Sequence, residues 1–488
     1  MIHPWERFDG TNTKHYPDYK YIQNEVANPK EVFFPTEFMH GLFDGGQAAG
    51  LDDMWKEMMK HPYAAGAFLW SFHDEGVVRV DKHDSIDVAG NGAPDGILGP
   101  HREKEASFYS IKEIWSPIYI NSDSFKVNRN YINIENRFLF TNLNKCVFKW
   151  KVTSFSKPGE AELKYIKQFT GTIKSPSLKP GQKGILKFPI PTGDVFYIIA
   201  LDLKGDTICT WSWPLIQPID VVKKHFKTNN EVDIHLKEDK ETLSIKDENI
   251  LYQFDIKNGF LSKIITGNKT VSLNGPTYAG KNQYIKTFQI TQESGKYNLS
   301  ISYIGDSLHV VWTFQNGRLP QMKYSYIPED SSDYCGITFN YPEEKITGIK
   351  WMGKGPYRVW KNRIKGQQFG VWNKKYNNTV TGQNWIYPEF KGWHSDLYWV
   401  QFQNTESNFI IYIDQPKIYL QILNPEKPIA ANNNNTSPGF PPGTFGFMHA
   451  ISPIGTKFQK ADLMGPQSEK NRVSLGSRFE GTLYFDFR

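Results

Sequence analysis

A change of hydrophobic period constrains this sequence most. From about Tyr119 onward, apolar and polar residues alternate in short runs. Tyr131-Ile132-Asn133-Ile134-Glu135-Asn136 and Val147-Phe148-Lys149-Trp150-Lys151-Val152 are examples, and Asn-, Pro- and Gly-containing turns separate them. A period of two puts one face of a strand in a core and the other in water. The spacing predicts an immunoglobulin-like β-sandwich over residues 118–217. A polar linker is expected over 218–230, and a larger all-β region over 231–488. Asn432 to Asn435, followed by Pro438, Pro441 and Pro442, reads as a loop within that region.

Residues 1–117 obey a different pattern. Val32-Phe33-Phe34 is short and apolar and ends at Pro35, as a buried parallel strand does. A loop with Gly41, Gly45, Gly46 and Gly50 follows. Leu51 to Lys60 reads as a helix, with Asp52 and Asp53 in its first turn, Lys60 and His61 at its end, and Pro62 closing it. Gly66-Ala67-Phe68-Leu69-Trp70-Ser71-Phe72 reads as a second buried strand, completing a βαβ unit. A further helix is expected from Glu105 to Trp115, before Pro117. A complete (β/α)₈ barrel needs about 250 residues. The region is therefore either a small three-layer domain or the last part of a barrel.

Bulk properties narrow the function classes. The 488 residues suit about three domains at roughly 150 residues each. The net charge of +6 is scattered, without a basic stripe, which argues against nucleic-acid binding. Cys146, Cys209 and Cys335 lie far apart and read as buried small hydrophobes, not as a disulfide framework or zinc cluster. No apolar run reaches about 18 residues, so no membrane-spanning helix is expected. The opening MIHPWERFDG lacks the pattern of a signal peptide. GxGxxG, P-loop, GxSxG and HExxH patterns do not occur. The compartment cannot be read from these features. The aromatic share of 15% fits sandwich cores and also sugar-stacking platforms.

The residue with the most chemical promise is Glu37, just beyond the strand at Val32 to Phe34. Catalytic groups sit at the carboxyl ends of barrel strands. A carboxylate there can attack an anomeric carbon and form a glycosyl-enzyme. The local sequence equally allows a helix cap or an ion pair. His40 could bind a sugar hydroxyl or orient Glu37, and Trp70 could offer a flat face to a sugar ring. Asp74 and Glu75 are local rivals, read as loop or capping residues.

In the order and spacing of these motifs the sequence resembles glycoside hydrolase family 2, in its β-galactosidase branch. Glu37-Phe38-Met39-His40 is similar to the family's nucleophile segment. Gly66-Ala67-Phe68-Leu69-Trp70 is similar to the next strand, Asp95-Gly96-Ile97 to a following loop, and Phe108 to Trp115 to the closing helix. Asn258-Gly259-Phe260-Leu261-Ser262, Gly353-Lys354-Gly355-Pro356-Tyr357, Asn362-Arg363 and Tyr387-Pro388-Glu389 resemble the β-galactosidase small-chain domain.

The resemblance implies the C-terminal part of a (β/α)₈ barrel, an immunoglobulin-like sandwich and a large antiparallel β super-sandwich. It implies a retaining β-galactosidase, with Glu37 as nucleophile and His40, Trp70 and Trp5 as substrate-binding residues. Asp95 falls where members often have Asn near a sodium site. The loop from His449 to Lys457 is expected to reach toward the active site. The family's Glu acid/base and magnesium ligands lie on earlier strands, and the match begins only around Ile2-His3-Pro4-Trp5. The acid/base is therefore expected to be absent from this chain, which alone would hydrolyse little. No cofactor site is encoded here, while Mg²⁺ and Na⁺ belong to the complete enzyme. The expected partners are a β-galactoside oligosaccharide or glycan, and an N-terminal barrel fragment or further copies of the chain. Two alternatives stand beside this reading. One is another family 2 exo-glycosidase. The other is a non-catalytic carbohydrate-binding or assembly module, favoured by the tryptophans between Trp351 and Trp399, including Trp360, Trp372, Trp385 and Trp393.

Overall fold

The computed structural model describes residues 3–42, 47–87, 94–160, 165–189, 191–225, 234–278, 283–328, 331–375, 393–422, 439–473 and 476–488. Readings made on Ile2, Gly45, Gly46, Trp385, Tyr387 to Glu389, Asn432 to Asn435 and Pro438 lie outside these residues. The protein is mostly β, with several antiparallel sheets.

The first region is an open layer of parallel stretches. Thr11–Asn12 pairs in parallel with Val32–Phe33, and Phe33 and Phe38 form parallel bridges with Ala64 and Leu69. Ser71 and Ile97 then continue the layer: the Ser71 N–H donates to Asp95 O (2.9 Å) and the Ile97 N–H to Ser71 O (3.1 Å). The helices Leu51–Met58 and Ala106–Ile114 lie where the pattern places them. A further helix, Tyr19–Ala27, starts at Asp18, whose carboxylate accepts from the Tyr21 N–H at 2.7 Å. The expected strand 66–72 forms only isolated bridges. Nor is it buried, because Phe68 (63% exposed) and Phe72 (62%) show their rings to solvent. Only one side of this stretch meets the layer.

Next come two sheets of three and four strands. The first joins Lys183–Lys187, Tyr131–Asn136 and Ile118–Ile120. The second joins Thr207–Pro214, Val195–Leu201, Val147–Phe155 and Tyr165–Ile173. Their inward residues, among them Ile132, Ile134, Phe148, Phe196 and Trp211, meet in one core, with Phe125 stacked on Trp213 at 4.8 Å. Where the sequence suggested a polar linker, Pro218–His225 is a helix. Val221 and Val222 are buried among Phe155, Met352, Tyr398 and Trp399, so this helix fixes one sandwich against the other.

The remainder forms two large antiparallel sheets, of ten and nine strands, around a single core. The nine-stranded sheet runs Ile285–Glu293, Lys296–Tyr303, His309–Gln315, Gln321–Tyr326, Phe479–Asp486, Phe409–Ile413, Trp399–Asn404, Ile346–Gly355, Gln368–Lys375. The last strand in sequence thus sits in its middle. Trp351, Trp360 and Trp393 are fully buried and Trp399 nearly so. These four are packing residues, while Trp372 is part-buried, so most of the described tryptophans that suggested a sugar-binding module lie in the core. Cys146, Cys209 and Cys335 are free and buried, the small hydrophobes expected of them.

At one end the two large sheets are tied by a polar cluster. Glu406 accepts from the Ser272 N–H (2.8 Å), the Ser272 hydroxyl (2.6 Å), the Tyr341 hydroxyl (2.8 Å) and Lys345 Nζ (2.6 Å). Ser272 and Tyr341 adjoin strands of the ten-stranded sheet, and Lys345 and Glu406 adjoin strands of the nine-stranded sheet. The first region also shares a core with the large sandwich: Phe38, Met54 and Ile114 pack with Trp360, Trp393, Ile454 and Met464.

Candidate functional site

Glu37 stands just beyond Val32–Phe33, one residue before the bridge at Phe38. Its side chain is part-buried, at 30% exposure. Two residues around it, Tyr16 (φ 45°) and Met39 (φ 56°), are in the left-handed region. For a non-glycine residue this conformation costs about 1–3 kcal/mol, and such strain gathers at functional sites. The Trp70–Ser71 peptide is cis.

Around Glu37 runs a chain of hydrogen bonds. The Tyr16 hydroxyl donates a short bond to Glu37 Oε2 and lies 3.1 Å from His40 Nδ1. His40 Nε2 is 3.0 Å from Asp95 Oδ2. The same oxygen accepts from Trp70 Nε1 at 3.0 Å, while the Ser71 hydroxyl donates to Asp95 Oδ1 at 3.3 Å. Buried Asp95 thus fixes the imidazole and the indole together. Gln47 braces the backbone behind them, donating to Trp70 O (2.8 Å) and Asp95 O (3.1 Å). Burial, then the bond to Glu37 and its charge, push the Tyr16 hydroxyl far above its ordinary pKa, so it remains a donor to the carboxylate. His15 Nε2 lies 3.4 Å from Glu37 Oε2.

The large sandwich reaches this site. The Lys457 N–H donates to His40 O at 2.7 Å, and Gln459 Nε2 to Tyr16 O at 3.0 Å. Phe458 lies between them, its ring 4.6 Å from Tyr16 and 5.2 Å from His40, and is about half exposed. The contacts fall at the end of the expected loop and just past it.

Glu37, His40, Trp70 and Asp95 are therefore one cluster. Trp5 stands at its edge, 58% exposed, with its ring 5.9 Å from His15. Asp95 Oδ2 is engaged by Trp70 and His40, while the Ser71 hydroxyl near Oδ1 lies closer to His73 O, at 2.8 Å. Glu75 is exposed, and Asp74 braces the backbone by accepting from the Gly96 N–H at 2.8 Å. Sequence reasoning missed Tyr16, His15, Phe458 and Gln459. The pair His15-Tyr16 before Pro17 was the available signal for the first two. The others come from the far end of the chain, with no local cue.

Residues 267–445 match the family model described as beta galactosidase small chain. The chain is 21% identical over 434 residues to a beta-galactosidase of Oenococcus oeni, covering 75% of this chain and 40% of that protein. It is 19% identical over 454 residues to a beta-galactosidase of Priestia megaterium, covering 82% and 42%. A beta-galactosidase of Lactobacillus delbrueckii subsp. bulgaricus matches over 207 residues at 22% identity, covering 39% and 18%. The chain spans about two-fifths of the length of the first two relatives. These matches support a C-terminal region of the β-galactosidase type, as found in glycoside hydrolase family 2.

Proposed function

We propose that this chain carries the nucleophile half of a retaining β-galactosidase. Glu37 attacks the anomeric carbon of a terminal β-galactosyl unit and forms the glycosyl-enzyme. Tyr16 holds the carboxylate in place and, as a donor, stabilises its negative charge. His40, fixed by Asp95, and Trp70 offer a hydrogen-bonding edge and an aromatic face to the sugar. Trp5 lines the approach. The observation that carries this reading is the cluster itself: a part-exposed carboxylate at the end of a parallel strand, backed by an ordered donor network and flanked by aromatic rings.

Retaining hydrolysis needs a second carboxyl group about 5–5.5 Å from the first. Asp95 is buried behind His40 and Trp70 and has no path to a leaving group. The general acid/base is then supplied by a segment outside this sequence, earlier in a longer protein or on a separate fragment. That segment completes a (β/α)₈ barrel on the open parallel layer and brings the magnesium ligands. Loss of general acid/base help typically costs about 10²–10⁴-fold, so the chain alone hydrolyses little or nothing. Co-expression with an N-terminal barrel fragment restores hydrolysis of an aryl β-galactoside, and Glu37→Gln abolishes it. Full restored activity in Glu37→Gln removes the nucleophile assignment.

A further inference from the structure

A chamber of about 370 Å³ lies where the helix Ala106–Ile114, the strand Thr207–Pro214 and the rim of the large sandwich meet. This volume is in the range of small-molecule sites, roughly 300–1,000 Å³. It is distinct from the Glu37 cluster: none of its lining residues belongs to that network.

Three lysines and three carboxylates line the chamber, so their formal charges cancel. Four of them form two ion pairs. Lys354 Nζ is 2.9 Å from Asp396 Oδ2, and Lys365 Nζ is 3.5 Å from Glu113 Oε1. Both lysines lie deep among surrounding atoms, yet Lys354 keeps 37% and Lys365 31% of its side-chain surface open. Burial works against both lysine charges, but Asp396 beside Lys354 and Glu113 beside Lys365 outweigh it and raise both lysine pKa values. Trp211 and Tyr398 border the chamber but are largely buried in the packing around it.

We propose that this chamber is a second binding site, for an uncharged saccharide unit. Its walls offer donors from the ammonium groups beside acceptors from the carboxylates. A sugar hydroxyl is both donor and acceptor, so neighbouring hydroxyls can bridge the two members of an ion pair. An anion would gain from the lysines but meet the carboxylates, and a cation the reverse. A neutral polyhydroxyl molecule meets neither penalty. The assignment does not depend on the role of Glu37.

The test is titration of the full chain with lactose, followed by saturation-transfer NMR and calorimetry, with glucuronate and inorganic phosphate as charged probes. Because the Glu37 cluster also offers a galactoside site, the lactose binding counted is the part that depends on Lys354 and Asp396. It should weaken at least about tenfold in Lys354→Met/Asp396→Asn, which removes charge-assisted bonds without leaving a lone buried charge. Asn tolerates the left-handed backbone at position 396 (φ 52°). Should that variant fail to fold, reductive methylation of the unaltered chain reads the same site: lactose should protect Lys354 and Lys365. Three results overturn the proposal. They are no lactose binding and no protection; binding unchanged in the double variant; and preference for phosphate or glucuronate over lactose.

Discussion

Replacing Glu406 by Gln should cost the large sandwich about 2 kcal/mol at neutral pH and almost nothing in acid. Burial alone would raise the Glu406 pKa, but bonds from Lys345, Ser272 and Tyr341 hold it at about 2, against the usual 4.5. At about 1.36 kcal/mol per pH unit, that drop corresponds to about 3 kcal/mol. Lys345 is 35% exposed, so water and salt screen its share, and about 2 kcal/mol is the sounder figure. The pKa is lower in the folded protein than in the unfolded chain. The stabilisation is therefore present above about pH 4.5 and fades as pH falls toward 2. The assay is urea unfolding of both proteins, read from tryptophan fluorescence. Trp312, Trp351 and Trp399 report on the core that Glu406 ties together. The gap between wild type and Glu406→Gln should narrow between about pH 7 and pH 3.5. A gap of equal size at both values, or none at pH 7, would refute the reasoning.

Further expectations follow from the same geometry. In a reconstituted enzyme, Tyr16→Phe removes a donor to a charged acceptor and should lower kcat/KM by about tenfold to a hundredfold. An unchanged value would show that Glu37 does not depend on that bond. Trp351→Ala leaves a cavity between the large sheets and should cost about 3–5 kcal/mol, measured by the urea midpoint and the near-ultraviolet dichroism. Val222→Asp places a charge in the contact between the sandwiches, and limited proteolysis near Pro218–His225 should quicken several-fold while the small sandwich keeps its own core.

Much of the architecture was legible because hydrophobic period carries it. Alternation marked Tyr131–Asn136, and the terminal charges and Pro62 marked Leu51–Met58. The helix Tyr19–Ala27 escaped because two of its core-facing residues are tyrosines and only one apolar residue, Ile22, is fully buried, although Asp18 was a readable cap. Residues 66–72 looked buried because they are apolar, and period cannot report which face lacks a neighbour. The helix Pro218–His225 was hidden for the opposite reason: its lysines suggest solvent, while Val221 and Val222, with part-buried Ile219, make the contact. In the candidate site, Glu37 and His40 are close in sequence and could be read together. Tyr16 and Phe458 join them only through tertiary contacts, between residues hundreds of positions apart in the case of Phe458.

The central seat of Phe479–Asp486 sets an order of events during synthesis. Its neighbours Gln321–Tyr326 and Phe409–Ile413 hydrogen-bond to it and not to each other. Until it emerges from the ribosome, the sheet is two unjoined halves, each with a bare inner edge able to recruit the wrong strand. Assembly of the large sandwich must therefore wait until Phe479–Asp486 has been translated. Deleting that strand would split the sheet down its centre, where the same loss from a strand at either flank would merely trim it.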